Sequence, residues 1–524
     1  MLDYFSESYH FLLMLLLIPH YILLVASEVS YDSESLMLTI KNEPSITTSM
    51  TNSYQNIVSC YISSNENVQI EENAFNKFEK LRRINFSCPK VSIQKSSFSG
   101  CTNLKNITFN NTQINAISES FPMDLEYILY EGDNFNSKMF SFLSKNIKAI
   151  DIKVHNTCTF NSDENVFTYH TQTVKVNAQD VNFEENSLIY AKIKLFTINA
   201  YNSINIGSNS LQENQINEIK FEAGNNICMN NGAFQDTNSN SNVNNNKISI
   251  SSNGTIKTGT NVFSGSIVET LDFQSKGNMI FGDNSFSAIH GVDVTCSSDK
   301  GMNLGSNSLA FVMIKYVNLK ANDYITLGQE NINSKQINNN LLLDYDGNTD
   351  FRITCNGPIT FKKNSFNGNS IFDTFSVMNK QSIIFETGSI TSTTIDSFIV
   401  SAYKNTYFAP NSINGYINQF WINNDYNVTI DNQAFKGTSI IKLMIDFLED
   451  YYSDYKRNEA IIESVTIGKQ SFYSCNTLFE IQIKSHGTIF IDESAFENNQ
   501  QLDRVYLMAD KKIIVGNNAF KFCN

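Results

Sequence analysis

One short sequence frame recurs along this chain of 524 residues and limits what it can fold into. The frame reads VQIEENAFNKFEKLRRINF from Val68, VSIQKSSFSGCTNLKNITF from Val91, VTIGKQSFYSCNTLFEIQI from Val465 and TIFIDESAFENNQQLDRVYL from Thr488. Most successive copies lie about 23 residues apart, and a fixed period of this length indicates a solenoid of stacked repeats.

Each copy contains two alternating apolar pairs with one apolar anchor residue between them. In the copy from Ile204, the pairs are Ile204 with Ile206 and Ile219 with Phe221, and Leu211 is the anchor. The alternation predicts short strands whose every second side chain points inward. A Gly or Asn before the anchor supplies a turn, and the anchor segment is long enough for about one helical turn. Because one coil cannot enclose a core, the copies must stack as parallel coils.

The predicted core is a ladder of the anchor residues. The aromatic anchors are Phe75, Phe98, Phe121, Phe167, Phe234, Phe263, Phe286, Phe366, Phe435, Phe472, Phe496 and Phe520. The aliphatic anchors are Leu188, Leu211, Leu309, Ile332, Ile390 and Ile413. Cys101 and Cys475 each follow their anchor by three residues, a place that Phe78 takes after Phe75. We therefore interpret both cysteines as buried packing residues.

The pattern I-x-I-G-x-x-[AS]-F-x-x-C-x-x-L-x-x-I-x-[IF] resembles the 23-residue leucine-rich repeat of BspA-like surface proteins. The resemblance extends over residues 67–524 and is weakest in the middle. It implies an α/β, β-dominated solenoid of stacked parallel coils with short helical or 3-10 segments. It also implies an extracellular or surface-exposed protein that adheres to host cells, matrix proteins or other microbes. The resemblance brings no catalytic residues.

The N-terminal sequence FLLMLLLIPHYILLVAS is an apolar run that resembles the core of a signal peptide. We expect residues 1–27 to form a signal peptide or signal anchor, residues 28–66 an N-terminal cap region, and residues 67–524 the solenoid. The anchor is the only expected membrane contact. Three gaps in the period are long, which places inserts near residues 236–246, 336–356 and 446–462.

Composition argues against a nucleic-acid partner. The chain has 38 Lys and Arg against 52 Asp and Glu, which gives a formal net charge of −14. A phosphate-binding surface requires clustered Lys and Arg, and this acidic balance gives no support for one.

The residues that usually carry catalysis or bind metals form no recognisable motif. The nine cysteines contain no C-x-x-C pair. A disulfide is expected less for the core cysteine Cys101 than for Cys60 and Cys88, which are near the N-terminal cap. The six histidines form no H-E-x-x-H motif. In DYDGNTD, Asp344 to Asp350, oxygen ligands alternate as a calcium site requires, but the glycine and closing glutamate of an EF-hand are missing. We therefore favour an Asx-rich turn and assign no catalytic, cofactor or metal residue.

Exposed aromatic residues are the candidate partner contacts. Trp421 lies between Phe420 and Ile422 in QFWIN, and since those two occupy inward positions, the indole is expected to point outward. The same count turns Tyr506 outward. The insert EDYYSDYKR adds Tyr451, Tyr452 and Tyr455 among charges, where tyrosine offers large contact area at low entropy cost. The alternatives are an indole that covers a neighbouring coil and an insert that is only a solvated loop.

Sequons of the N-x-S/T type fit an exported glycoprotein, although an Asn-rich sequence also forms them by chance. The candidate glycosylation sites are Asn85, Asn106, Asn110, Asn253 and Asn427.

The sequence therefore predicts a secreted or cell-surface repeat protein that binds without catalysis, with a protein or glycan on a host cell, matrix or other microbe as partner. A parallel β-helix enzyme acting on polysaccharides is one alternative, and a structural coat protein without a specific ligand is another. A short helix or 3-10 turn at the anchor favours leucine-rich repeats, whereas a third strand there favours a β-helix.

Overall fold

The computed structural model describes residues 27–524 except 117–119, 123–124, 144–146, 163–166, 168–169, 239–245, 307, 309–314, 329–331, 334–348, 368–370 and 447–461. The predicted signal segment therefore lies outside the described residues apart from its last residue, Ser27. The anchor Leu309 and most of each predicted insert also lie outside the described residues. The chain divides into two compact units, Met1–Gly132 and Asp133–Asn524.

In the first unit, two parallel ladders are built from alternating strands. The longer strands form what we call the front ladder: Met37–Lys41, Ser59–Ser63, Arg83–Ser87, Asn106–Asn110 and Tyr127–Gly132. The shorter strands form the back ladder: Ser45–Ile46, Val68–Ile70, Lys90–Ile93 and Gln113–Ala116. Glu28–Asp32 pairs antiparallel with Met37–Lys41 as a hairpin. The parallel ladders thus begin inside the predicted cap region 28–66.

The second unit repeats this arrangement over many more coils. Its front ladder comprises Ile147–Val154, Thr171–Ala178, Lys192–Ala200, Gln215–Ala223, Lys247–Ser252, Ile267–Ser275, His290–Ser298, Tyr316–Ala321, Asp350–Cys355, Ile371–Asn379, Ile390–Ala402, Ile413–Asn424, Ser439–Ile445, Glu480–Ser485 and Arg504–Ala509. All these neighbours pair in parallel, as expected when consecutive coils stack in register.

The back ladder of the second unit is shorter in each coil but equally regular. It comprises Phe135–Asn136, Thr157–Phe160, Asp180–Phe183, Ile204–Ile206, Ile227–Met229, Ile256–Thr258, Met279–Phe281, Gly301–Leu304, Tyr324–Leu327, Ile359–Phe361, Ile383–Phe385, Thr406–Phe408, Asn427–Ile430, Ser464–Ile467, Thr488–Ile491 and Lys512–Val515.

Helix is scarce in the described residues. The helices that lie entirely within the described residues are the α-helix Thr48–Thr51 and the 3-10 helices Asn52–Tyr54 and Ser137–Phe140. The expected short helical segments at the anchors are instead consecutive turns in most coils. At Phe75, for example, the Phe78 amide donates to the Phe75 carbonyl at 3.2 Å, and the Asn76 amide donates to the Asn73 carbonyl at 3.1 Å. These are 3-10-type bonds that do not continue into a helix.

A third ladder replaces the turns in a few coils of the second unit. Ile332–Asn333 pairs in parallel with Phe366–Asn367, which pairs with the start of Ile390–Ala402, and Ile390 in turn pairs with Ile413. Three of these four anchors are isoleucine, whose β-branched side chain favours extended backbone. The anchor segment is therefore a strand in this part of the chain.

The anchors lie in the core in both kinds of coil. Every described aromatic anchor except Phe520 is buried, and so are Leu188, Leu211, Ile390 and Ile413. Phe520 is half-buried in the last coil. Aromatic anchors of successive coils stack: the ring centroids are 4.9 Å apart for Phe75 and Phe98 and 5.0 Å apart for Phe472 and Phe496. This spacing matches the distance between neighbouring strands, so ring stacking and strand pairing share one repeat.

The backbone two residues before the anchor is left-handed wherever the structure describes that residue. The φ angles run from 50° to 65° at Asn73, Ser96, Asn186, Asn209, Gly232, Asn261, Asn284, Asn364, Gly388, Asn411, Gln433, Gln470, Ser494 and Asn518. Asparagine and glycine tolerate this conformation better than other residues, which confirms the predicted turn chemistry at most of these positions. Ser and Gln fill the remaining ones.

The residue just before the anchor is small and buried, most often Ser or Ala. Ser97 Oγ donates to the Glu71 carbonyl of the preceding coil at 2.9 Å, and Ser210 Oγ donates to the Glu184 carbonyl at 2.9 Å. A hydroxyl here joins two coils without widening the distance between them. Burial of this polar group is tolerated because it is hydrogen-bonded.

Candidate partner-binding face

The outward side of the front ladder in the second unit places one tryptophan in a line of large side chains. Strand register puts Ile399, Trp421, Met444, Gln482 and Tyr506 at equivalent positions of five successive strands. We call these five residues the Trp421 row. Neighbouring members are one strand spacing apart, about 4.8 Å, so their side chains form a continuous surface.

Alternation of the strand sets the direction of the indole. Phe420 and Ile422 are fully buried, whereas Trp421 between them is half-buried. Ile399, Met444 and Gln482 are half-buried as well, and Tyr506 is 57% exposed. The row therefore combines partial burial, which fixes the side chains, with an open face that a partner can cover.

Charged side chains on either side of the row are held in ion pairs. Lys442 Nζ lies 3.3 Å from a Glu480 carboxylate oxygen, and Lys484 is paired with Asp446. These four residues are on the same outward side of the front ladder. Mutual pairing reduces the local net charge, which makes the surface a mixed polar rim around an apolar centre.

Sequence reasoning identified Trp421 and Tyr506 but missed Ile399 and Met444. The missed pair could have been found by aligning the front strands on their buried residues, because register then assigns both to the tryptophan position. Tyr451, Tyr452 and Tyr455 lie outside the described residues.

The predicted glycosylation sites differ in exposure. Asn253 is exposed, whereas Asn85, Asn106, Asn110 and Asn427 are half-buried. Asn110 Nδ2 donates to Asn85 Oδ1 at 3.0 Å, and Asn427 Oδ1 accepts from Ser464 Oγ at 2.6 Å. An oligosaccharyltransferase would have to break these contacts to reach the amides of Asn85, Asn110 and Asn427, whereas the exposed Asn253 side chain is directly accessible.

The cysteines of the anchor segment are buried and chemically protected. Cys101 Sγ lies 3.0 Å from the Phe75 carbonyl oxygen, and Cys475 Sγ lies 3.1 Å from the Phe435 carbonyl oxygen. Burial raises the pKa of Cys101 to about 12, so its thiol stays protonated and unreactive at neutral pH.

This cysteine position is buried, but it is not reserved for apolar side chains. Ser266 Oγ takes the same place and donates to the Phe234 carbonyl of the preceding coil at 2.7 Å. Asn499 Nδ2 donates to the Phe472 carbonyl at 2.9 Å. In these coils the residue at this place is a small group that donates to the anchor carbonyl of the preceding coil, whereas Phe78, Ala191 and Ile289 occupy it as buried apolar residues.

Cys60 and Cys88 are free thiols, so the disulfide considered for them is not formed. Strand register pairs Cys60 with Ile84, and Cys88 Sγ lies 3.5 Å from the Lys90 carbonyl oxygen.

Within the described ranges, no group of three or more His, Cys, Asp or Glu side chains is arranged to hold a metal ion. Of the DYDGNTD segment, Asp350 is described, and its carboxylate lies 3.6 Å from the Arg352 guanidinium. None of the helices in the described part of the chain is both long and apolar enough to cross a membrane.

Comparison with known proteins assigns the repeat. Residues 44–172 and 449–524 match the family model described as "BspA type Leucine rich repeat region", in six copies. No curated protein matches the chain. A solved structure described as "The crystal structure of CroV588 a novel circular LRR protein structure" is similar at 12% identity and a TM-score of 0.21, over 92% of this chain and 80% of that one. The two matched segments therefore contain leucine-rich repeats of the BspA type, and the residues between them continue the period of about 23 residues and the parallel ladders.

Proposed function

We propose that this protein is displayed on a cell surface or secreted, and that it binds a protein on a host cell, matrix or other microbe through the Trp421 row. Proteins with this type of repeat typically lie on the surface of bacteria. The repeat supports a binding role in general, and it comes with no catalytic residues.

The observation that carries the proposal is the composition and position of the row. Tryptophan, tyrosine and methionine are enriched where proteins bind one another, and aromatic anchors supply a large share of the binding energy. Ile399, Trp421 and Met444 are adjacent on the open face and form an apolar centre. The paired charges Lys442–Glu480 and Lys484–Asp446 border it. A protein surface with an apolar ridge and a mixed-charge rim would complement this arrangement.

The single tryptophan of the chain makes the proposal directly testable. Protein expressed through a secretory route with 5-fluorotryptophan gives one fluorine NMR signal, which reports on residue 421 alone. We expect this signal to shift or broaden on titration with purified matrix proteins or with epithelial cell-surface extract, in a saturable manner. The substitution Trp421→Ala should weaken binding about tenfold or more, because it removes the largest side chain of the row.

The matched control is Tyr426→Ala. Tyr426 is 48% exposed and lies in the corner that follows the front strand of Trp421, not in the row. Its removal should leave the affinity unchanged. Saturable binding that survives Trp421→Ala would show that another surface binds the partner.

Cleavage of polysaccharides should be assayed on the same samples. Cleavage without saturable binding would favour the β-helix enzyme alternative. If the samples show no cleavage and no saturable binding, the structural coat protein is favoured.

A further inference from the structure

A groove runs along the carboxyl ends of five front strands, from Lys192–Ala200 to His290–Ser298. It has a volume of about 490 Å³, which is within the range of pockets that hold small ligands. It is lined from one end to the other by corner residues of successive coils, which are Tyr201, Gly224, Asn253, Lys276 and Asp299. None of these belongs to the Trp421 row, so the groove is a second surface.

One corner of the groove, Gly224, has no side chain. The amides of Gly224 and Asn253 donate to the Ala200 and Ala223 carbonyls at 2.9 and 3.0 Å, which places the two corners on consecutive rungs after Tyr201. Tyr201 and Asn253 are thus two strand spacings apart, roughly 10 Å, with glycine between them. A Cβ atom at Gly224 would lie 2.1 Å from the Tyr201 carbonyl oxygen, so backbone crowding requires glycine there. The resulting gap is open to solvent and flanked by a tyrosine that is 73% exposed.

The remaining lining is polar and close to neutral. The outward residues of the same five strands are Asn199, Glu222, Ser251, Gln274 and Ser297. Glu222 is paired with Lys220 at 3.1 Å, and the corner residues Lys276 and Asp299 carry opposite charges. The groove therefore lacks the concentrated positive charge that a phosphate ligand needs and the apolar floor that a lipid needs.

Amide and hydroxyl groups can donate to or accept from a ligand hydroxyl, and a carboxylate can accept from one. The exposed tyrosine ring offers an apolar face against which C–H groups pack, with a hydroxyl at its end. A ligand that presents many hydroxyls on one side and a C–H face on the other matches this lining. We infer that the groove between Tyr201 and Asn253 is a binding site for a neutral short oligosaccharide.

The test uses four neutral probes, which are maltotriose, lactose, N,N′,N″-triacetylchitotriose and mannotriose. The protein is expressed without N-glycosylation, because Asn253 begins a sequon and lines the groove. Saturation-transfer NMR should detect binding of at least one probe. For that probe, Tyr201→Ala should reduce the affinity about tenfold by removing the stacking face.

A second variant fills the groove and a third serves as control. Ser251→Arg places a long side chain in the groove from an outward, half-buried position and should abolish binding while the fold is retained. Tyr426→Ala removes an exposed tyrosine elsewhere in the same unit and should leave binding unchanged. Binding of none of the four probes, or binding that survives both Tyr201→Ala and Ser251→Arg, overturns the inference. Neither result depends on the Trp421 row.

Discussion

At Phe472 the segment between two strands of a coil folds into consecutive turns, whereas at Ile390 the same segment is a strand that pairs with its neighbours. The first kind of coil occurs both in the segments that match the family model and between them, for example at Phe263 and Phe435, whereas the described coils of the second kind all lie between them. Both kinds have a left-handed residue two positions earlier, Gln470 and Gly388, and both bury the anchor completely or nearly so. The constant features are thus the turn and the buried anchor, while the hydrogen bonding of the anchor segment varies.

The largest effect should come from emptying the anchor position in both kinds of coil. Phe472→Ala should lower the free energy of unfolding by about 3–5 kcal/mol, and Ile390→Ala by about 2–5 kcal/mol, because each leaves a cavity in the core. Urea unfolding followed by circular dichroism measures the loss. As a control, Tyr426→Ala should change it by less than about 0.5 kcal/mol. A loss below about 1 kcal/mol for Ile390→Ala alone would show that the third ladder does not depend on its anchor.

A smaller loss of stability is expected when a buried cysteine is replaced by serine, and its size should differ between Cys158 and Cys475. Cys158 is an inward residue of a back strand between Phe135 and Val181, and Cys158→Ser should cost about 1–3 kcal/mol because it buries a hydroxyl in an apolar layer. Cys475→Ser should cost about 1 kcal/mol or less, since the hydroxyl can donate to the Phe435 carbonyl as Ser266 does to Phe234. If both variants lost the same free energy of unfolding, the proposed role of the residue at position 475 as a hydrogen-bond donor would be contradicted.

Substitution of the left-handed residue should lower the free energy of unfolding by a similar amount in both kinds of coil. Asn411→Val, before the strand-type anchor Ile413, and Asn73→Val, before the turn-type anchor Phe75, should each cost about 1–2 kcal/mol because β-branched residues avoid positive φ. Asn411→Gly and Asn73→Gly should remain within about 0.5 kcal/mol of the parent. If a valine variant left the stability unchanged in one kind of coil, the left-handed turn would not be a constant feature of both kinds.

The final comparison concerns thiol ionisation, which has no effect at neutral pH and matters only at high pH. Burial raises the pKa of Cys355, in a coil with the third ladder, to about 11, and that of Cys475 to about 12, from an ordinary value of 9.0. Because folding raises these pKa values, the stabilisation from the protonated thiols is complete below pH 9 and is lost as the pH rises through about 11 and about 12. Iodoacetamide labelling of the native protein should therefore begin at Cys355 before Cys475 as the pH is raised. The reverse order would contradict this ranking.

Much of this fold was predictable because its physics is local and periodic. The alternation around Ile204 and Ile219, the anchor spacing and the asparagine before the anchor each reflect one coil and repeat in the next. The third ladder was not predicted for these coils, since Ile390 and Phe366 satisfy the same apolar pattern whether the backbone turns or extends. Whether the anchor segment forms turns or a strand depends on hydrogen bonding to the neighbouring coil, which is more than twenty residues away in the chain.

The candidate sites were predictable only in part for a related reason. The outward direction of Trp421 followed from alternation within one strand. Its neighbours Ile399 and Met444 depend on register between strands, and the groove at Gly224 depends on a side chain that is missing from one rung. Sequence patterns describe which residues are inside a coil better than which residues from different coils meet outside it.

The parallel ladders also determine how the second unit responds to a pulling force. Its strands run across the stacking direction, so tension applied along that direction loads one rung of backbone hydrogen bonds at a time. Coils should therefore detach singly, each at a modest force. Every coil released would add roughly 70 Å of extended chain. A protein built in this way can lengthen in steps under flow or shear while its remaining coils stay folded.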